Sequence, residues 1–402
     1  MIGVLRAEEI IRKARLKPEV EEVAIAEAAG RVLQEVIRSD RDLPPFDRVM
    51  MDGIAIRYDQ WKEGQTTFPV AGLQKAGDPQ HSLEKDDYCL EVMTGAMLPP
   101  NTDTVIRYED VSIKTVKGRE VAVINRPPKK KGQNIHPKGT NRPKGKILVD
   151  EGIVLSPAEI AVAATVGKSS LKVTRPPRVA IVATGDELVD IHEEPLPHQI
   201  RRSNVYAVSA AVQGLHIDAQ LFHLRDNKEE ISRSLKEILE AFEVVILSGG
   251  VSKGKLDYIP EVLAECGVKK HLHKVRQRPG KPLWFGTSEQ AVVFALPGNP
   301  VSTFMCYYRY VEPWLKRQVG IENKPLIAQL TKDFTFEKEL TYFLQVQVQS
   351  GKDGVLEATP VKGKGSSDFA NLCRGDGFLE LPEQQSHFKK GQAYPLYLYK
   401  HL

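Results

Sequence analysis

Between residues 178 and 318 the chain changes period again and again. "RVAIVATG", "HIDAQLFHL", "EVVILSGG" and "AVVFALPG" are short runs rich in β-branched residues, the pattern of buried strands. Each is followed by a helical pattern: "SNVYAVSAAVQG", "NKEEISRSLKEILEAF", "LDYIPEVLAECG" and "PVSTFMCYYRYVEPWLKR". Strands joined by helical crossovers pair in parallel and carry helices on both faces. The fold class expected here is therefore α/β, a doubly wound sheet. Ser203 or Asn204 is the expected cap of the first helix and Gly214 its stop.

In such a sheet, ligands bind beyond the carboxyl ends of the strands. Three strands end in unusual residues. The first ends in Thr184, Gly185, Asp186 and Glu187; the second in Ser248, Gly249, Gly250, Ser252, Lys253 and Asp257; the third in Pro297, Gly298, Asn299, Pro300 and Ser302. Glycine at a strand end permits positive φ and close approach of a ligand to the N–H groups. The helix start that follows suits a phosphate. Glu187, Asp226 and Asp257 offer hard oxygen donors of the kind a hydrated Mg2+ takes. Any one of these ends is an ordinary βα turn. Three in one domain point to a phosphate-and-magnesium site.

A basic segment follows, "HLHKVRQRPGKPLWFG", with Lys274, Arg276, Arg278 and Lys281. On an extended chain 274, 276 and 278 share one side, where they would converge on an oxyanion. The plainer alternative is an edge strand whose charges oppose aggregation. His271 and His273 lack a third ligand at recognisable spacing and read as surface residues.

Outside this stretch the texture differs. Residues 1–45 read mainly as helix, with Ile10, Ile11 and Ala14 on one face and a second periodic stretch from Ala26 to Ile37. Residues 46–139 are short β-rich runs between Gly, Pro, Asn and Asp, and residues 140–172 include a helix opening at Ser156-Pro157. From 319 the chain is β-rich again. Asp52-Gly53 between apolar runs reads locally as a hairpin turn, and "MTGAMLPP" places Thr94 at a strand end. The length of 402 residues calls for several domains, and 41% hydrophobic with 27% charged residues fits a globular protein. A net charge of +4 is small for this length and argues for neither a nucleic-acid nor a membrane partner. The start, "MIGVLRAEEIIRKARLKPE", is no signal peptide, so a cytoplasmic location is expected. Cys89, Cys266, Cys306 and Cys373 are widely spaced and are expected as buried free thiols.

Taken together, "PPFDRVMMDG", "MTGAMLP", "GQNIHPKGTN", "TGDEL", "SGGVSKGKLDY", "RPGKP" and "LPGNPVS" resemble the molybdopterin molybdenumtransferase family, the MoeA and gephyrin E-domain group. The motifs stand in the family's order across nearly the whole chain. "TGDEL" and "SGG…D" also occur in molybdopterin adenylyltransferases and CinA-type proteins; the N-terminal motifs and the tail select MoeA. The resemblance implies four domains. These are an elongated, discontinuous helical domain (1–45 and 140–172), an inserted β-domain (46–139), a MogA-like α/β domain (173–318) and a C-terminal β-barrel (319–402). It implies that adenylyl-molybdopterin and molybdate are substrates, that molybdenum enters the pterin dithiolene, and that AMP leaves with help from Mg2+. It also implies a homodimer whose site lies between subunits, so that Asp52 and Thr94 gain a role from the partner's α/β domain. Molybdopterin adenylyltransferase and molybdoenzymes would be passing partners. The alternatives are an adenylyltransferase and a gephyrin-like scaffold.

Matched residue by residue, the resemblance makes Glu187, Asp226 and Asp257 the acidic and metal candidates. Lys274, Arg278 and Lys281 are the basic ones, with Arg278 standing where lysine is common. Thr184, Gly185, Asp186, Ser248, Gly249, Gly250, Ser252, Pro297, Gly298, Asn299 and Pro300 would line the pterin side. Ser366, in "GKGSSDF", would stand at the molybdate end. Two departures stand out. Asn141 replaces a common aspartate, and Gln345 replaces a common arginine, leaving Arg276, Lys274 or Lys281 to supply the missing charge.

Overall fold

The computed structural model describes residues 1–251, 258–322 and 324–400. They form two compact units: Met1–Gln34 with Val154–Ser156 and Ser170–Leu402, and Glu35–Ile153 with Pro157–Ser169.

The first unit is built on a six-stranded sheet. Its strand order is Ala219–Leu224, Val179–Thr184, Val244–Ser248, Val292–Leu296, Trp284–Thr287, Lys269–His273. The first four pair in parallel, as expected, but Trp284–Thr287 runs antiparallel to both its neighbours. No helical crossover links that strand to its neighbours: a four-residue turn joins it to Val292–Leu296, and residues 274–283 return the chain from Lys269–His273, so both pairings are antiparallel. All six residues of Val179–Thr184 are buried. Val179, Ile181 and Ala183 enter one core, whereas Ala180 and Val182 enter the other. Burial on both faces is why these strands read as unbroken apolar runs.

Helix Lys228–Ala241 presents Ile231, Leu235, Ile238 and Leu239 to the second core, and the Asn227 carboxamide oxygen accepts from the Glu230 N–H at its start. Helix Ser203–Gln213 faces the first core through Val205, Val208 and Val212. It has no side-chain cap; Asn204 is used elsewhere. The run from Pro300 to Gln318 passes through a π turn at Tyr307–Val311.

Val4–Lys13 is helical and packs Val4, Ala7 and Ile11 into the first core. The second helix expected over Ala26–Ile37 does not form. Val20–Ala24 pairs antiparallel with Ser170–Thr174, Ile25–Glu27 is a single 3-10 turn, and Gly30 takes φ +79°. The apolar spacing there serves strand pairing, with a left-handed glycine breaking any helix. Towards the C-terminus five strands close into a barrel: Thr341–Ser350 pairs with both Leu356–Pro360 and Gly377–Leu381, and Leu326–Leu330 and Ala393–Leu398 complete the circuit. Gln277–Arg278, from the basic segment, pairs in parallel with Thr341–Tyr342, so that segment is stitched to the barrel.

In the second unit Gly53–Ile56 lies between Cys89–Val92 and Thr104–Arg107 in a six-stranded sheet. Asp52-Gly53 is thus no hairpin turn but the entry to an interior strand. Gly53 is required because a side chain there would collide with the Ile106 carbonyl. Helix Pro157–Thr165 forms where expected. Among the described residues no helix is long and apolar enough to cross a membrane.

Candidate functional site

Two cavities adjoin in the first unit. One, of about 560 Å3, opens at the strand ends and is lined by Thr184, Gly185, Glu187, Asp226, Ser248, Gly249, Gly250, Pro297, Gly298, Asn299 and Pro300. The sheet order explains the gathering: the three glycine-bearing strands are neighbours. Gly249 and Gly250 take φ of +106° and +67°. A Cβ on Gly249 would meet the Thr184 hydroxyl and carbonyl at 2.8 and 2.9 Å, and one on Gly250 would meet Ile259 at 2.5 Å. Only bare backbone fits. Gly185 likewise leaves room for the Glu187 carboxylate.

Asn204 pins this cavity. Its Nδ2 donates to Ser248 Oγ at 2.9 Å, to the Gly298 carbonyl at 2.8 Å and to Thr303 Oγ1 at 3.3 Å. One amide thereby ties a helix start to two strand ends. Thr184 Oγ1 and Asn204 Oδ1 are buried without a partner among the described residues. Such orphaned atoms are costly unless something else satisfies them. Asp186 and Asp226 lock the adjoining loops reciprocally: the Asp226 N–H donates to Asp186 Oδ1 at 3.1 Å and the Asp186 N–H to Asp226 Oδ2 at 3.4 Å.

The second cavity, about 660 Å3, lies on the barrel side and shares Pro282 and Asn299 with the first. Arg278, Lys281, Lys338 and Lys364 line it with Ser302, Ser366 and Gln345, and among the described residues its wall contains no carboxylate. The turn bearing Arg278 and Lys281 is fixed from below. Gln277, fully buried, donates to the Gly280 carbonyl at 2.9 Å and accepts from the Tyr310 hydroxyl. Asn299 Nδ2 donates to Ser366 Oγ at 3.0 Å across the partition between the cavities.

Eighteen of the twenty candidate site residues can thus be placed, but not all converge. Lys274 takes φ +71° and lines neither cavity, because the segment bends there instead of running extended. Arg276 is held by Glu383 through two hydrogen bonds, 3.1 and 2.9 Å. Ser252, Lys253 and Asp257 lie outside the described residues. His271 and His273 bond Thr287 Oγ1 and the Val251 carbonyl, and burial lowers the pKa of both. In the other unit Asp52 and Thr94 meet: Asp52 Oδ1 accepts from the Thr94 N–H at 2.6 Å and from its hydroxyl at 2.7 Å. These bonds, the backbone one foremost, hold the Asp52 carboxyl below its ordinary pKa. Of the cysteines, Cys89 and Cys306 are buried, Cys266 is half-buried and Cys373 is exposed. The expectation of four buried thiols fails at Cys373, which lies in the 3-10 helix Phe369–Arg374, and is met only in part at Cys266.

For Mg2+, Glu187 and Asp226 face one cavity, and a magnesium ion is commonly held by one or two carboxylates and water. Among the described residues no set of three ligating side chains assembles, so the remaining positions would fall to water or substrate oxygens. The pair fits the ion. Sequence reading missed Asn204 as a tie, Lys338 and Lys364. The lysines gave no signal because nothing local places them beside Arg278; only barrel closure does.

The middle of the chain, residues 180–317, matches a family described as a probable molybdopterin binding domain, which sets the class of protein that this sheet and its cavity define. Residues 2–167 match the MoeA N-terminal region (domain I and II), and residues 328–399 match the MoeA C-terminal region (domain IV). The chain is 42% identical over 371 residues to a molybdopterin molybdenumtransferase of Synechocystis, covering 92% of each. It is 29% identical to the protein of that name from Haemophilus influenzae, over 96% of this chain and 95% of the other. A crystal structure of the molybdopterin biosynthesis MoeA protein from Pyrococcus horikoshii superimposes with a TM-score of 0.84 at 31% identity, covering 100% of both chains. The chain belongs to the MoeA family.

Proposed function

We propose that this chain is a transferase of molybdenum cofactor biosynthesis that inserts molybdenum into molybdopterin, with adenylyl-molybdopterin and molybdate as substrates and AMP as the released product. The observation that carries the reading is the pair of unlike cavities meeting at Asn299 and Pro282. One is backbone-lined with two carboxylates; the other is cationic.

The strand-end cavity would take the pterin and its phosphates. Gly249 and Gly250 let the ligand approach main-chain N–H groups, and Asn204 keeps the walls in register. Glu187 and Asp226 would hold Mg2+, which offsets phosphate charge during cleavage of the anhydride. The cationic cavity would hold molybdate, a tetrahedral dianion. Convergent donors in a partly shielded pocket stabilise such charge more than water does. Asp257 would be a third acidic residue; Lys274, which lines neither cavity, would act on the bound anion only through its long-range charge.

The chain would divide into the four domains 1–45 with 140–172, 46–139, 173–318 and 319–402, form a homodimer in which Asp52 and Thr94 of one subunit serve the other's α/β domain, and act in the cytoplasm. Incubating the chain with adenylyl-molybdopterin, Mg2+ and molybdate tests this reading. AMP release coupled to reconstitution of an apo-molybdoenzyme is expected, and Asp257→Ala is expected to abolish reconstitution while sedimentation still reports a dimer. Formation of adenylyl-molybdopterin from ATP and molybdopterin instead would identify an adenylyltransferase. Full reconstitution by Asp257→Ala would refute the assignment of that residue.

A further inference from the structure

We infer that Lys338 and Lys364, both carried by the C-terminal barrel, bind the oxyanion in this chain and set its affinity. The inference rests on the reading of the cationic cavity as the molybdate site and goes beyond it by naming where the charge comes from.

Four cations line the cavity among the described residues, two from each side: Arg278 and Lys281 from the basic turn, Lys338 and Lys364 from the barrel. Among the described residues none of the four makes an ion pair, whereas Arg276, two residues from Arg278, is already neutralised by Glu383. The floor of the cavity is neutral. Gln345 is 9% exposed and its amide is fully engaged. Its Nε2 donates to the Asn371 carbonyl at 2.7 Å and to the Tyr399 hydroxyl at 3.1 Å, and its Oε1 accepts from Asn371 Nδ2 at 2.8 Å. Among the described residues, the positive charge a dianion would meet here comes from those four side chains and not from Gln345.

The loop that delivers Lys364 is seated twice: the Val361 N–H donates to the main-chain carbonyl of residue 345 at 2.9 Å, and Gly363 packs so closely on the Asn371 side chain that a Cβ would meet its Nδ2 at 2.7 Å. Downstream, the Val301 N–H donates to the Ser366 carbonyl at 3.0 Å. Lys364 is thus held between two anchored points, beside Ser366. Gln345 acts as a positioning residue: its amide holds Asn371, on which the loop packs, and leaves the charge to the lysines. Lys338 reaches the same space from the turn that leads into Thr341–Ser350, the strand that bears Gln345.

The test is calorimetric titration of the full-length chain with sodium molybdate in buffer free of sulfate and phosphate. An exposed cation beside a dianion contributes a factor of about three to ten. Lys338→Ala and Lys364→Ala should each weaken binding by that factor, and the double variant by about ten- to a hundredfold. The Lys338→Arg, Lys364→Arg pair should restore affinity to within about threefold, since charge and reach are kept. Added NaCl should weaken wild-type binding more steeply than that of the double alanine variant. Both lysines are exposed, so the thermal midpoint should stay put. Double-alanine binding within twofold of wild type, with Lys281→Ala impaired, would overturn the inference and leave the molybdate reading standing. No molybdate binding by wild type, or equal binding by all variants, would overturn both.

Discussion

The two cavities are made of different materials. At the strand ends, shape comes from backbone: glycines at positive φ, one amide spanning three elements and buried hydroxyls. On the barrel side, character comes from the ends of long charged side chains on an otherwise neutral wall. Backbone-built sites tolerate almost no substitution because every atom is in contact. Charge-built sites tolerate relocation, because a cation acts over several ångströms from more than one starting point. A cationic site can therefore keep its character with the neutral Gln345 on its wall, whereas the strand-end cavity cannot lose Gly249 or Gly250.

The strongest way to break that contrast is Gly250→Val. The substitution forces a branched residue to φ +67° and drives its Cβ into Ile259. A loss of about 2–5 kcal/mol in stability and at least about a hundredfold in activity is expected, measured by urea unfolding and AMP release. Next is Asn204→Ala, which strips three hydrogen bonds from the cavity wall. It should cost about 1–3 kcal/mol and raise KM for adenylyl-molybdopterin while leaving KM for molybdate near wild type. Lys281→Ala should do the reverse, raising KM for molybdate about three- to tenfold with an unchanged unfolding curve. Equal effects of the last two variants on both substrates would merge the cavities into one site.

The smallest effect concerns Asp52, a carboxylate fixed by backbone in the other unit. Its pKa lies below the ordinary 3.8, so the carboxylate stays ionised at neutral pH, and its contribution fades only as pH falls through the lowered value. Thr94→Val removes the hydroxyl bond and keeps the stronger N–H bond. NMR titration should find the Asp52 pKa raised only part of the way back.

The sequence made some of this legible and hid the rest for physical reasons. Buried strands and their glycine-rich ends declared themselves because both need particular residue types. Trp284–Thr287 gave its composition but not its direction, since an apolar run carries no polarity. Ala26–Ile37 looked helical because apolar residues at mixed spacing satisfy either period. Asn204 was expected as a helix cap, its commonest local use, yet its partners lie 44 to 99 residues away. Asp52 looked like a hairpin turn for the same reason: Thr94 is 42 residues distant. Local rules assign local partners, and function here is carried by distant ones.

The most direct test of the account is anomalous scattering from a crystal of the chain soaked in molybdate. The molybdenum peak should lie in the barrel-side cavity, ringed by Arg278, Lys281, Lys338 and Lys364 with Ser366 beside it. A peak at the strand ends among Gly249, Gly250 and Glu187, with the barrel-side cavity empty, would contradict it.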